Sequence, residues 1–491
     1  MSAPVEFGSL LDRGRWTPYQ RLLTALAALV VIFDGFDIQI LGFAIPSLMK
    51  EWGVARPAFG PVLALGLAGM AAGSPFAGYW GDRLGRRPAL IGCVALFGLA
   101  TVATSFVHSV FALAVLRFVT GLGAGGAVPN ATAFAAEFAP LRQRAVAVKL
   151  TIVCVPLGGM LGGLIAAQVL PALGWRALYQ IGGALPLAFA AILWTVLPES
   201  PSFLVQRPQR WPALEQLLRR MSRAVPAGSS FEDQRESGSV GRAPIRELLG
   251  SRHLRDTVGL WLAFFFCLGA IYLVFGWLPA MLTSQGMDVA GASRGLALYN
   301  FGGVLGVFIW AVLMTHLGSR RPLLSGALAA ASTALAILLV PVQSQGGREL
   351  MFAGLALNGL VSNAVQTSMY SLAAHVYPTT VRASGVAYAA AIGRVGGIFS
   401  SIFGAAIISA GAGAYWGTLA CVDGLRVRRP RLGAQSLPCV GKGERRGGAP
   451  GSRALIRLQA RLDALLVKEL LHPLRARIFG IAMQSLIELR I

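Results

Sequence analysis

The amino-acid sequence predicts an all-α, polytopic membrane protein built from two helical bundles, and composition is the first observation behind that fold class. Of the 491 residues, 55% are hydrophobic and only 13% are charged. A soluble chain would carry about 25% charged residues. The second observation is that the apolar residues gather into long runs, since a helix needs about 20 of them to cross a bilayer. An ordinary soluble enzyme is therefore excluded.

Eleven apolar runs are long enough to span a membrane, and they define the domain organisation. The runs lie at 22–48, 58–80, 88–107, 110–135, 146–170, 176–197, 257–282, 295–315, 322–342, 350–376 and 384–410. A polar stretch with ten arginines separates the sixth run from the seventh. We therefore expect an N-terminal region 1–21, a six-helix bundle 22–198, a central loop 199–256, a C-terminal bundle with five recognisable helices 257–412, and an Arg-rich, atypical tail 413–491.

The distribution of basic residues predicts the orientation. The formal net charge is +22, and the arginines concentrate in the central loop and in the connections that follow even-numbered spans. Cytoplasmic loops carry such an excess. We therefore expect the N-terminus and the central loop in the cytoplasm, and a chain that crosses the inner (plasma) membrane many times. Contact with the anionic lipid of the bilayer accounts for the charge, so nucleic acid is not expected as a partner.

Matching segments in the two halves indicate an internal repeat. The pattern P-x-x-x-R-A at 140–145 recurs at 378–383. The charged segment 78–87 aligns with 311–320, although Thr315 and His316 stand where the first copy has Asp82 and Arg83. Two parallel repeats joined by a long loop are the arrangement of transporters whose halves rock about a site near the middle of the membrane.

Asp34 and Asp37 interrupt the first apolar run. Their i, i+3 spacing places both carboxylates on one helix face, and Gly35 between them would let the helix bend or a ligand approach closely. Ionisable groups inside spans are costly and are functional candidates by default. Two neighbouring carboxylates in a low-dielectric region resist carrying two charges, which favours proton uptake by one of them. A structural pair neutralised by an arginine is the alternative.

Arg117 in the fourth span and Arg394 in the eleventh are two further candidates. Arginine stays protonated, so each needs an anion, either an aspartate of the first span or a carboxylate of the substrate. The alternative for Arg117 is a side chain that snorkels to the membrane surface. The tenth span is unusually polar, and its Asn358 and Gln366 would either line a cavity for a polar ligand or bond a neighbouring helix.

A short charged loop after the second span is the candidate cytoplasmic gate. The loop contains Gly81, Asp82, Arg83, Gly85, Arg86 and Arg87. The glycines permit a tight turn, and Asp82 is expected at a helix N-terminus, where the helix dipole favours an anion. Glu137 and Arg144 flank the next connection on the same side and are expected to join the same ion-pair network. The alternative is that the arginines only determine topology.

Patterns typical of enzymes and metal sites are missing from the sequence. It contains no P-loop, G-x-S-x-G or H-E-x-x-H motif, and its five cysteines have neither CxxC nor metal-ligand spacing. We therefore expect no enzymatic activity, no cofactor and no metal.

Several of these segments resemble transporter signatures. Residues 78–88 and Leu197-Pro-Glu-Ser-Pro201 resemble loop motifs of the major facilitator superfamily. Five further segments resemble the aromatic acid:proton symporter family. They are Asp34-Gly-Phe-Asp37, Arg117-Phe-x-Thr-Gly-Leu-Gly123, Glu137-x-x-Pro140-x-x-x-Arg144, Tyr377-Pro-x-x-x-Arg382-Ala-x-Gly385 and Gly393-Arg-x-Gly-Gly397. Together these resemblances cover about residues 15–412.

The resemblance implies the major facilitator fold of two six-helix bundles and proton-coupled uptake of a benzoate-like or hydroxybenzoate-like acid by alternating access. It also implies functional importance for Asp34, Asp37, Asp82 and Arg117. The partners would be a small organic anion, a proton and the lipid bilayer, and the protein would be a monomer. A sugar porter or a porter of other organic acids is the alternative within the superfamily, because the motif at 198–201 is widely shared.

The family also implies a twelfth span, which would begin near Tyr415, and here the sequence departs from the family pattern. From residue 424 onward it carries 14 basic and 4 acidic residues, and no apolar run of 20 residues follows. This composition indicates a reading-frame change and a twelfth helix that is missing or replaced. A non-transporting remnant is therefore the second alternative. Truncation after Gly413 is expected to leave whatever transport the full chain has.

Overall fold

The structure is a computed structural model that describes residues 5–12, 14–223, 225, 230–232, 248, 254–318, 320–342, 344–377 and 382–425. Much of the expected central loop, the second copy of the P-x-x-x-R motif up to residue 381, and the tail from 426 onward lie outside the described residues.

The N-terminal half consists of long helices joined by short turns. Its elements are β1 (Val5–Glu6), α1 (Phe7–Asp12), α2 (Pro18–Trp52), α3 (Phe59–Leu84), α4 (Arg86–Thr104), α5 (Val110–Phe138) and α6 (Leu141–Val196). A straight helix with the 56 residues of α6 would be about 84 Å long at 1.5 Å per residue, far more than a bilayer needs. The backbone breaks at Gly174, where φ is 78°, and α6 therefore supplies two spans.

Short elements follow α6, and the C-terminal half then repeats the long-helix pattern. The short elements are α7 (Pro201–Val205), α8 (Trp211–Arg220) and β2 (Phe231–Glu232), which pairs in parallel with β1. The helices of the second half are α9 (Leu254–Ser284), α10 (Val289–Leu317), α11 (Arg320–Leu338), α12 (Gln345–Val376), α13 (Arg382–Ser409) and α14 (Ala412–Leu425).

The predicted fold class is confirmed. Within the described ranges, nine helices are long and apolar enough to cross a membrane, and α6 is one of them. The 32-residue α12 is not among the nine, because it is the polar span that carries Asn358 and Gln366. All eleven predicted runs coincide with described helices to within a few residues.

A fourteen-residue helix, α14, stands where the twelfth span was expected. At 1.5 Å per residue it is about 21 Å long, which is short of the roughly 30 Å hydrocarbon core of a bilayer. Tyr415, Trp416 and Leu419 are buried in it, and the helix packs against α11 and α9. Residues 413–425, which were expected to belong to the tail, therefore pack as part of the second bundle.

The two halves meet through the helix pairs α2 with α9, α3 with α13, and α6 with α10. One apolar cluster includes residues of both halves, among them Phe43, Leu48, Phe275 and Trp277. It lies toward the end of the bundle where α2 ends and α3 begins, which is named the far end here. The opposite end, where α6 ends and α9 begins, is named the linker end.

Toward the linker end the halves have separate cores. One apolar cluster holds only residues from the first half through to β2, including Leu90, Phe138 and Leu193. Another is centred on α9, α12 and neighbouring helices, with Leu260 and Met369 as members. The halves are therefore joined at the far end and parted toward the linker end.

Candidate functional site

The middle of α2 places two carboxylates inside the bundle. Asp34 is 0% exposed and Asp37 is 3% exposed. Gly35 between them lies against α6, and a Cβ added there would be 2.1 Å from the backbone oxygen of Val155. The glycine therefore serves the close approach of a neighbouring helix, and not the approach of a ligand.

Asp37 is held by partners on helices of its own half. The Thr101 hydroxyl donates a hydrogen bond of 2.6 Å to Asp37 Oδ1, and Arg117 Nη2 lies 3.6 Å from the same oxygen. Arg117 Nη1 also donates to the Asp37 backbone oxygen, at 3.4 Å. The guanidinium lies 5.2 Å from the centre of the Tyr179 ring, which stabilises a buried cation. Arg117 is buried, so it does not snorkel to the membrane surface.

Asp34 has a different environment. Neither of its carboxylate oxygens has a hydrogen-bond partner among the described residues. The charges that act on it are those of Asp37, one turn along α2, and of Arg394 on α13. Arg394 is half-buried and belongs to the second half.

A cavity lies between the two halves beside Arg117. The space there amounts to about 510 Å³ when the solvent open to it is included. Its polar and aromatic lining residues are Asp37, Arg117, Thr120, Tyr272, Phe275 and Ser401. Within the described part of the chain, Arg117 Nε and Nη2 have no hydrogen-bond partner. A buried cation that is paired with Asp37 and has two nitrogens without a hydrogen bond therefore lines a mainly apolar cavity.

The two amides predicted on the tenth span do not reach this cavity. Asn358 Nδ2 donates to the backbone oxygen of Ala330 at 3.0 Å and to the Thr333 hydroxyl at 2.9 Å. Both acceptors are on α11, so Asn358 bonds a neighbouring helix. This was the alternative to lining a cavity for a polar ligand. Gln366 is half-buried, and neither amide is among the described residues that line the cavity.

The charged loop at the linker end forms part of the predicted network. Arg86 Nη2 lies 2.8 Å from Asp82 Oδ1, and Arg86 Nε lies 3.4 Å from Glu137 Oε1. Arg86 Nη1 also donates to Asn130 Oδ1 at 3.4 Å, and the Ser200 hydroxyl donates to Glu137. Arg86 thus ties α3, α4 and α5 together, and Glu137 links the start of α7 to them through Ser200.

Asp82 does not lie at a helix N-terminus, contrary to the expectation, because α3 continues to Leu84 and Asp82 is in its last turn. The carboxylate at the N-terminus of α4 is that of Glu199, whose Oε1 accepts from the Arg87 backbone N–H at 3.0 Å. Gly85 separates α3 from α4 with φ at 112°, and a Cβ there would be 2.2 Å from Glu199 Oε2. Glycine is therefore required at this turn.

The remaining residues of the predicted gate have other partners. The Arg83 guanidinium lies 4.5 Å from the centre of the Tyr79 ring, and that of Arg87 lies 5.7 Å from the centre of the Trp194 ring. Arg144 Nη2 lies 3.3 Å from Asp12 Oδ1, so Arg144 ties α6 to α1. Gly81 lies close to Asn130, beside the Arg86 network.

Three polar or aromatic cavity residues were missed by sequence reasoning, namely Tyr272, Phe275 and Ser401, whereas Thr120 stood in the family-like segment 117–123 with no role assigned to it. Hydroxyl and aromatic side chains are common in buried helices, so their types carried no signal. Within the ranges given above, no group of three His, Cys, Asp or Glu side chains could hold a metal ion.

Comparison with known proteins places the chain in a family. The Major Facilitator Superfamily profile matches residues 27–401. The chain is 36% identical over 413 residues to the gallate transporter of Pseudomonas putida, covering 84% of this chain and 91% of that protein. It is 34% identical over 404 residues to the 4-hydroxybenzoate transporter PcaK of Pseudomonas putida, covering 82% and 89%.

Solved structures agree on the fold. The crystal structure of a D-xylose-proton symporter matches with a TM-score of 0.66 at 18% identity, over 83% of this chain and 96% of that chain. The inward-open xylose transporter XylE from E. coli matches with a TM-score of 0.64 at 19% identity, over 83% and 94%. These relatives and neighbours are transporters and not enzymes. The chain is therefore a multi-pass membrane transporter that belongs to the Major Facilitator Superfamily.

Proposed function

We propose that the chain takes up an aromatic carboxylate of the benzoate or hydroxybenzoate class together with a proton, by alternating access. The observation that carries this proposal is Arg117, a buried cation that lines the cavity between the halves, whose Nε and Nη2 make no hydrogen bond within the described residues although Nη2 is ion-paired with Asp37. A carboxylate takes two parallel N–H donors of an arginine in a bidentate pair. A carboxylate substrate would supply the acceptors that Arg117 lacks.

The rest of the cavity suits an aromatic ring. Tyr272 and Phe275 contribute aromatic faces from α9, and Met70, Leu67 and Leu63 contribute apolar contacts from α3. Offset or edge-to-face packing of rings adds to the free energy of burying their area. Thr120 and Ser401 also line the cavity. Each hydroxyl donates to a backbone oxygen of its own helix and keeps lone pairs that would accept a hydrogen bond from a ring hydroxyl group.

The printed functions of the relatives support the same class of substrate. Gallate and 4-hydroxybenzoate are aromatic acids, and the relatives named for them match over more than four fifths of this chain. A benzoate transport protein of Acinetobacter baylyi is 27% identical over 412 residues.

Proton coupling is proposed from the two buried aspartates. A carboxylate that takes a proton loses its charge, which lowers the cost of moving it between two states of the protein. An anionic substrate at Arg117 and a proton at the aspartates would then cross together. The ion pairs of Arg86 with Asp82 and Glu137 would act as a gate at the linker end, with the N-terminus and central loop on the cytoplasmic side of the inner membrane.

Uptake of labelled compounds tests the function. Cells that express the chain would be given 4-hydroxybenzoate, gallate, benzoate and, as an uncharged control, xylose. The expected result is accumulation of one or more acids, abolished by a proton uncoupler and unaffected by excess xylose. Uptake of xylose alone would favour a sugar porter. If none of the compounds entered, although the protein was present in the membrane, a non-transporting remnant would be favoured.

A further inference from the structure

A row of contacts leads from the buried Arg117 to the surface of the far end. The Arg117 guanidinium lies 5.2 Å from the centre of the Tyr179 ring, and the Tyr179 and Trp175 rings meet edge to face with their centres 5.9 Å apart. Trp175 Nε1 in turn donates a hydrogen bond of 2.6 Å to Glu51 Oε2. Both rings are buried, whereas the Glu51 side chain is 41% exposed. Two buried rings therefore connect the cation of the candidate site to a carboxylate at the surface.

The break in α6 explains how the two rings come to share one face. Gly174 separates the two spans of α6, so Trp175 is the first residue of the second span and Tyr179 follows one turn later. Residues at i and i+4 lie on the same face of a helix. Arg176 Nη1 donates to the other Glu51 oxygen at 2.6 Å. One carboxylate at the end of α2 thus holds two successive residues after the break, which fixes the rotation of the second span and aims the Tyr179 ring at Arg117.

The Tyr179 ring acts on Arg117 through its face and not through its hydroxyl. The hydroxyl has no hydrogen-bond partner among the described residues, whereas a desolvated guanidinium is attracted strongly to an aromatic face. Tyr179 is not one of the described residues that line the cavity, so it would act on a substrate only through Arg117. Without the ring, the arginine side chain would gain freedom to leave the position in which it lines the cavity and lies 3.6 Å from Asp37.

We propose that Tyr179 is a positioning residue for the substrate carboxylate: its ring holds the Arg117 guanidinium at the cavity, and the hydrogen bond between Trp175 and Glu51 holds the ring. This inference rests on the proposed function, in which Arg117 binds the carboxylate. It assigns to the site three residues that lie outside the cavity lining. The affinity for an aromatic acid therefore depends on an exposed carboxylate at the far end.

Equilibrium binding to purified protein tests the proposal. The Kd for labelled 4-hydroxybenzoate and gallate would be measured for each variant, after its thermal unfolding has shown that it is folded. Tyr179→Leu removes the ring and should raise Kd roughly 10- to 30-fold. Tyr179→Phe keeps the aromatic face and should restore Kd to within about twofold of the wild type. Phe134→Leu removes a buried ring from the separate core of the first half, and should lower the unfolding temperature without changing Kd.

A double-mutant cycle shows whether Tyr179 acts through Arg117. Arg117→Gln alone should weaken binding strongly. Adding Tyr179→Leu to Arg117→Gln should have little further effect, because no cation remains for the ring to hold, whereas independent contributions would add.

Glu51→Ala tests the outer end of the row from an exposed position, where the protein is expected to fold. It removes the acceptor of the Trp175 hydrogen bond and should raise Kd about two- to tenfold. Glu349→Ala, which removes an exposed acid of the second half, is the matched control and should bind like the wild type. If Tyr179→Leu did not fold, this pair of variants would decide the proposal.

Three results would overturn the proposal. The first is wild-type affinity in folded Tyr179→Leu or in Glu51→Ala, and the second is a loss of affinity in Tyr179→Phe as large as that in Tyr179→Leu. The third is an equal effect of Tyr179→Leu in the wild type and in Arg117→Gln, which would mean that Tyr179 acts independently of the cation. The proposed function fails separately, and this inference with it, if the wild type binds neither aromatic acid.

Discussion

The N-terminal and C-terminal halves repeat one helix pattern, yet their buried polar groups are compensated in different ways. In the first half, Arg117 pairs with Asp37 inside the bundle, and Arg86 pairs with Asp82 and Glu137 at the linker end. In the described part of the second half, the polar span α12 uses Asn358 to bond backbone and hydroxyl oxygens of α11.

This difference indicates a division of work between the halves. Among the described residues, the first half holds the ion pairs of Arg86 and Arg117, and the second half supplies the aromatic wall of Tyr272 and Phe275. A repeat can therefore keep the backbone arrangement needed for rocking while the binding chemistry concentrates in one copy. Substitutions matched between the halves test this division.

The largest effect is expected from Arg117→Gln, which would remove the substrate's cation and leave Asp37 with Thr101 as its donor. Breaking a buried ion pair by removing one partner costs about 3–5 kcal/mol, and about 1.4 kcal/mol is a factor of ten. We expect uptake to fall by roughly 100-fold or more. The measurement is initial uptake rate, normalised to the amount of protein in the membrane.

Arg348→Gln is the matched control for that variant, because it removes an arginine of the second half that is exposed. Its uptake should equal that of the wild type. Equal losses in both variants would mean that arginine content, and not the cavity, sets the rate.

A smaller effect is expected from Asn300→Ala, which breaks a bond between the halves. Asn300 Nδ2 donates to Gln39 Oε1 at 2.7 Å, Gln39 Nε2 donates back at 3.3 Å, and both residues are fully buried. An orphaned buried amide costs about 1–3 kcal/mol, so the closed far end should open roughly 5- to 100-fold more often. The measurement is labelling of Ser401→Cys, in a cysteine-free background, by an impermeant thiol reagent added from the far side.

Asn358→Ala is the control for this comparison, since the Asn358 bonds stay within one half. It should lower stability without raising the labelling rate. If both alanine variants accelerated labelling equally, the Gln39–Asn300 pair would have no special role in closing the far end.

A modest effect is expected from Asp82→Asn at the linker end. The Asp82 side chain is 64% exposed, and exposed ion pairs contribute about 0.2–1 kcal/mol. Uptake should therefore slow by no more than about fivefold, with unchanged protein in the membrane. Glu349→Gln, an exposed acid of the second half, should have no effect. Wild-type rates in Asp82→Asn would leave the loop with a role in topology alone.

The smallest effect is expected from removing residues 426–491. The structure moves the truncation point from Gly413 to Leu425, because Tyr415 and Trp416 of α14 are 0% and 1% exposed. A chain that ends at Leu425 should keep full uptake, whereas one that ends at Gly413 should lose bundle stability and most uptake. Loss of uptake in the chain that ends at Leu425 would assign the tail a role in transport.

The sequence predicts the fold well because a bilayer imposes strict requirements on each span. Apolar runs located the helices, and ionisable residues inside those runs identified Asp34, Asp37 and Arg117, which the structure brings together. Residue type alone did not identify Tyr272 or Phe275, since aromatic side chains are equally common in packed helices.

Partner choice and helix ends depended on three-dimensional packing. Arg144 was expected in the Arg86 network, but it pairs with Asp12, which is far away in the chain. Asp82 was expected to begin a helix and instead lies near the end of one, because the turn at Gly85 is a single residue. A short apolar segment before a basic tail concealed α14.

Coupled proton and substrate movement tests the central claim most directly. Purified protein would be placed in liposomes that contain a pH-sensitive dye, and 4-hydroxybenzoate or gallate would be added outside, with protein-free liposomes as the blank. We predict that the interior acidifies above the blank only when an aromatic acid is added, that Arg117→Gln abolishes this signal, and that Arg348→Gln retains it. Entry of the acid without proton movement, or an unchanged signal in Arg117→Gln, would contradict the account.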